Sequence, residues 1–62
     1  MKFKVDQRVR IARGLFQGSK GTITEVDKRF SSPYRVRIDG KPHISGGSGQ
    51  ERLSARDLVA SR

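Results

Sequence analysis

Apolar and polar residues take turns along much of this chain, and the repeat is two residues long. Val5, Val9 and Ile11 fall on one parity, while Lys4, Asp6, Arg8 and Arg10 fall on the other. That alternation predicts a half-buried first strand over Lys4 to Arg10. Thr22-Ile23-Thr24-Glu25-Val26 is rich in β-branched residues and predicts a second strand. Ile23 and Val26 stand three apart, so a bulge or sharp bend is expected near Glu25. Tyr34-Arg35-Val36-Arg37-Ile38 alternates without a break, with Tyr34, Val36 and Ile38 inward and both arginines outward.

Between these strands the sequence carries turn chemistry. Asp27 to Pro33 is a polar loop, in which Pro33 pushes Ser32 towards extended geometry. Asp39-Gly40 reads as a tight hairpin turn, followed by a short strand over Lys41 to Ile44 with Pro42 marking an edge. Ser45-Gly46-Gly47-Ser48-Gly49 has the composition of a flexible connector. Ser54 precedes Asp57 by three residues, the spacing of a capped helical turn, after which Leu58 and Val59 supply a last strand.

Four or five short strands and no helix longer than a turn predict an all-β domain. Closing them into a barrel would remove the exposed edges of a lone meander. The expected core is Val5, Val9, Ile11, Phe16, Ile23, Val26, Tyr34, Val36, Ile38, Leu53, Leu58 and Val59. Leu15 and Phe16 are expected to plug the mouth of that barrel.

Size limits what the fold can hold. The chain has 62 residues, of which 32% are apolar, and it lacks tryptophan, so residues 1–62 read as one domain without room for a large cofactor pocket. It has no cysteine, which excludes disulfides and thiolate-held zinc or iron. No apolar run has the length of a membrane span, and no signal-like apolar stretch follows Met1, so the expected location is cytoplasmic and no membrane partner is expected.

Charge changes the picture more. The formal net charge is +8, from 14 Lys+Arg against 6 Asp+Glu. Most of the cations are arginine, whose guanidinium binds phosphate and carboxylate in a bidentate, weakly hydrated fashion. Such an excess favours a polyanionic partner.

Enzyme chemistry finds little support. His43 is the lone histidine and lies beside Pro42, and the carboxylates are scattered singly among cations. No spacing suggests a metal cage, so no metal, cofactor or small-molecule substrate is expected. Gly18-Ser19-Lys20-Gly21-Thr22 lacks the order of a phosphate loop and enters a strand instead of a helix. The candidate chemistry is therefore the basic surface: Arg8 and Arg10 on the first strand, Arg35 and Arg37 on the third. Arg13, Gln17, Lys20, Lys28 and Arg29 lie in the adjoining loops. Phe30 and Tyr34 are the candidates for stacking on bases, with Tyr34 reading as core.

Gly14, Gly18 and Gly21, set between the apolar pairs Val9/Ile11 and Ile23/Val26, describe one strand folding back into the next. This spacing, from Asp6 to Lys28, resembles the KOW motif of ribosomal proteins and transcription elongation factors. The resemblance implies a small SH3-like five-stranded barrel with a single 3-10 turn before the last strand. It also implies RNA or DNA contact through the glycine loop, pointing to Arg13, Gln17, Lys20, Arg8 and Arg10.

The whole-chain layout is also similar to two SH3-like families, the peripheral stromal subunit of photosystem I and the variable chain of ferredoxin–thioredoxin reductase. The matching parts are Val9-Arg10-Ile11, Ser32 to Ile38 and the closing turn from Leu53 to Leu58. That similarity implies docking to an acidic protein partner within a larger complex. Here the tyrosine follows the proline instead of preceding it. The Asp6-Gln7-Arg8-Val9-Arg10 opening resembles plasmid-type dihydrofolate reductases. Their apolar–Gln–Ile–Tyr motif is replaced by Gly49-Gln50-Glu51-Arg52-Leu53, so the chain reads as a non-enzymatic binding module.

Overall fold

The computed structural model describes residues 2–61. Five strands form one antiparallel sheet: β1 (Arg8–Ile11), β2 (Lys20–Val26), β3 (Tyr34–Ile38), β4 (Gln50–Leu53) and β5 (Leu58–Ala60). Their order across the sheet is β4-β3-β2-β1-β5. A 3-10 turn, Ala55–Asp57, joins the two outermost strands, and a second short turn spans Ile44–Gly47.

The inward parity of each strand meets in one core of Phe3, Val9, Ile11, Ile23, Tyr34, Val36, Ile38 and Leu58. Phe16, Val26, Ile44, Leu53 and Ala55 pack against it, partly buried. Among the described residues no helical layer covers this core, and the apolar sides of the strands pack on one another. The radius of gyration, 10.3 Å, fits a compact chain of this length.

Several expectations are corrected. The first strand starts at Arg8, not Lys4: Val5 and Asp6 form a turn, Asp6 has φ +72°, and Val5 is 50% exposed. Phe3 takes the expected place of Val5. It contacts the Tyr34 ring edge-on (centroids 5.4 Å apart, 77° between planes). The Tyr34 hydroxyl accepts the backbone N–H groups of Lys2 (3.0 Å) and Phe3 (3.1 Å), tying the start of the chain to the core.

No strand forms over Lys41 to Ile44. Those residues turn instead, and β3 takes β4 as its partner with Arg37 opposite Gln50. Val59 projects outward, 37% exposed. Phe16 packs against the core as expected, but Leu15 does not plug anything: it is 91% exposed.

The local chemistry explains the elements that hold. The register shifts between Ile23 and Glu25, which lets both Ile23 and Val26 face inward despite their spacing. The Ser54 amide and hydroxyl both donate to the Asp57 carboxylate (3.4 and 2.9 Å), closing the 3-10 turn.

Candidate nucleic-acid interface

The glycine loop is built by its backbone. The Ile11 amide donates to the Ser19 carbonyl (2.8 Å), and the Gly18 amide returns to the Ile11 carbonyl (2.8 Å). Gly14 and Gly18 have φ near +94° and +93°, a region closed to most side chains. Gly21 has a different reason. A Cβ there would lie 2.5 Å from the Arg37 carbonyl oxygen and 2.6 Å from a Val36 methyl. The loop thus returns the chain into β2 while β3 crosses directly against Gly21, and Arg13 and Gln17 are left exposed.

Register then decides which cations meet. Arg10 is opposite Lys20, and Arg8 is opposite Thr22, which is opposite Arg37. Arg35 lies between Glu25 on β2 and Arg52 on β4. Directly paired residues share a face, so Arg8, Arg10, Lys20, Arg35, Arg37 and Arg52 all project from the outer side of one sheet. With β2 in the middle, Arg8 and Arg37 are about 10 Å apart, two strand spacings.

The two loops lie at opposite ends of β2 and do not merge into one patch. Arg13 and Gln17 lie beyond the Lys20 end of β2. Lys28, Arg29 and Phe30 lie beyond its Val26 end, about 20 Å away along the strand. Lys20 itself is the first residue of β2 and not a loop residue. The result is a stripe, running from Arg13 past Arg10 and Lys20 to Arg37 and Arg35.

Not every cation in it is free. Arg8 grips Asp39 with both terminal nitrogens (3.1 and 2.6 Å) and donates to the Thr22 hydroxyl (2.9 Å). The hydrogen bonds from Arg8 hold the Asp39 carboxyl below its ordinary range, and Arg8 itself is shifted upward by the same bonds. Arg29 is similarly held by Asp27 (3.0 and 2.7 Å). That side-chain contact, helped by the Arg29 backbone N–H, lowers the Asp27 carboxyl to about 2. Arg52 pairs with Glu25 (2.7 Å). Among the described residues Arg10, Arg13, Lys20, Lys28, Arg35 and Arg37 make no ion pair.

Arg52 escaped the reading of the sequence. Its guanidinium carbon stacks 4.0 Å from the Phe30 ring centre, fixing an aromatic that is 48% exposed in an otherwise polar loop. The signal that could have found it is the parity shared by Gln50 and Arg52 and opposed by Leu53, but only the pairing of β4 with β3 gives that parity a face. Tyr34 is buried and its hydroxyl is occupied, so it offers no stacking surface. His43 is exposed in the turn after β3. Among the described residues no three His, Asp or Glu side chains converge as a metal site would need. None of the described helices is long and apolar enough to cross a membrane.

No protein-family model matches the chain, and a comparison with curated proteins finds no match. The reading of this surface therefore stands on its own geometry.

Proposed function

We propose that the chain is a non-enzymatic binding module, an SH3-like barrel of KOW type, that holds RNA or DNA by its phosphate backbone. One observation carries this: strand pairing lines up Arg10, Lys20, Arg37 and Arg35 on one outer face, and among the described residues none of them makes an ion pair. Phosphate contacts fix position without reading sequence, and Phe30, stacked on Arg52 past the Arg35 end of the stripe, is the exposed aromatic nearest to it among the described residues. Weak sequence preference and strong salt dependence follow.

The test is an NMR titration with a mixed-sequence RNA and a duplex DNA at low and near-physiological salt. Shifts confined to the stripe and surviving near-physiological salt support the reading. Diffuse shifts that vanish with salt overturn it. A specific feature favours a second reading, docking to an acidic protein: Leu15 stands almost wholly exposed beside Arg13, an apolar tip within a cationic rim. In that case Leu15→Ala weakens partner binding while nucleic-acid affinity is unchanged.

A further inference from the structure

One end of the stripe contains an arrangement that ordinary strand pairing disfavours. Arg35 and Arg52 are direct cross-strand neighbours, and like charges placed opposite each other destabilise a sheet. Glu25 lies directly opposite Arg35 yet gives its carboxylate to Arg52, and Arg35 makes no ion pair among the described residues. Arg52 Nη1 is buried and has no acceptor among the described residues. An unmet buried donor on a charged group is costly.

These two arginines line an open cleft of about 300 Å³, bounded by Ser45, Ser48, Gln50 and Glu51. The Gln50 side-chain oxygen accepts from Thr24 (2.7 Å), and the Ser48 hydroxyl donates to the Ser45 carbonyl (3.2 Å). The Gln50 NH₂ group and the Ser45 hydroxyl make no protein hydrogen bond among the described residues. Ser45 is held at φ +51°, a left-handed conformation that a serine adopts at a cost. Unused donors of Arg35, the Gln50 amide and the Ser45 hydroxyl lie along this space beside the Arg52 guanidinium, and its volume admits a tetrahedral oxyanion. Glu51 in the lining and Glu25 on Arg52 are opposing charges, and they limit affinity.

We propose that this cleft binds a single phosphate group, with Arg35 as its charged ligand, the Arg52 guanidinium lending positive charge beside it, and Ser45 and Gln50 as neutral donors. The chemistry is that of a phosphomonoester or free phosphate. Its assignment to the end of a polynucleotide rests on the function proposed above, but the cleft's affinity for phosphate does not.

The experiment titrates the chain with inorganic phosphate at constant ionic strength, followed by amide and arginine Nε–H shifts and by thermal melting. Saturable shifts at Ser45, Ser48, Gln50, Arg35 and Arg52 are expected, with a rise in melting temperature. Arg35→Gln should weaken phosphate at least about tenfold, the worth of a charge-assisted hydrogen bond. The same variant should melt no lower than the parent without phosphate, because it removes a like-charge pair. Glu51→Gln should tighten phosphate by up to about fivefold.

Arg10→Gln with Arg13→Gln, at the other end of the stripe, should leave phosphate binding unchanged while weakening a polynucleotide. Failure of the cleft and failure of the nucleic-acid reading are thereby separated. An oligonucleotide carrying a 5′-phosphate is compared with its 5′-hydroxyl counterpart. Tighter binding of the first names a polynucleotide end as the source; equal binding, with inorganic phosphate still saturating, names free phosphate. Shifts that never saturate, or that spread equally over Arg10, Arg13 and Lys20, overturn the proposal.

Discussion

Two glycines of the first loop and one at the start of β2 do different jobs, and substitution separates them. Gly14→Ala or Gly18→Ala forces a side chain into left-handed backbone with open space around it, a cost of about 1–2 kcal/mol in chemical unfolding. Gly21→Ala meets the Arg37 carbonyl and a Val36 methyl instead, and should lose about 2–4 kcal/mol because two strands must part. Tyr34→Phe keeps the core volume but strands two backbone N–H groups, one of them buried, and should cost about 1–3 kcal/mol. Asp27 gives a pH signature. Its carboxyl is held at about 2, below the ordinary value, so its contribution is present above pH ~4 and is lost as pH falls through about 2. Asp27→Asn should flatten the acid side of the stability profile in that window.

At the scale of elements, the strands that alternate over their whole length form where the sequence places them, while the flanks do not. Tyr34–Ile38 is strand from end to end, because its apolar parity is unbroken and both neighbours pair with it. Val5 shares the parity of Val9, yet the chain turns at Asp6 and brings Phe3 to the core in its place. A larger ring with the Tyr34 hydroxyl as anchor wins over a valine that continues the pattern. Pairing also decides electrostatics between elements. The turn after β3 sets Asp39 beside β2, its amide on the Lys20 carbonyl, and the Arg8 side chain reaches across β2 to pair with it. Asp39→Asn should therefore strengthen polyanion binding, and Arg8→Ala should weaken it less than Arg37→Ala does. Isothermal titration at two salt concentrations distinguishes these cases.

For the whole molecule, the number of phosphates engaged can be counted from salt dependence. If Arg10, Arg13, Lys20, Arg35 and Arg37 each neutralise one, log affinity for duplex DNA should fall against log salt with a slope of about −4 to −5. Replacing Arg10, Arg35 and Arg37 by alanine should reduce that slope by about 3 and leave the melting temperature within a few degrees. All three side chains are exposed and none makes an ion pair among the described residues. A slope that survives the triple variant places the contacts elsewhere.

The strand class, the bulge in β2, the capped turn before β5 and the outward direction of four arginines were all legible in residue order. Each depends on period-two alternation or on side chain–backbone contacts a few residues apart. Which arginines become neighbours was not legible, because register between strands is a long-range property. It follows from β3 crossing close against Gly21 and from β4 replacing the expected strand at Lys41 to Ile44. The same holds for Phe3 on Tyr34, Arg52 on Phe30 and Asp39 on Arg8, whose partners are 31, 22 and 31 residues apart. Local pattern fixes what each side chain faces; tertiary packing alone decides what it faces together with.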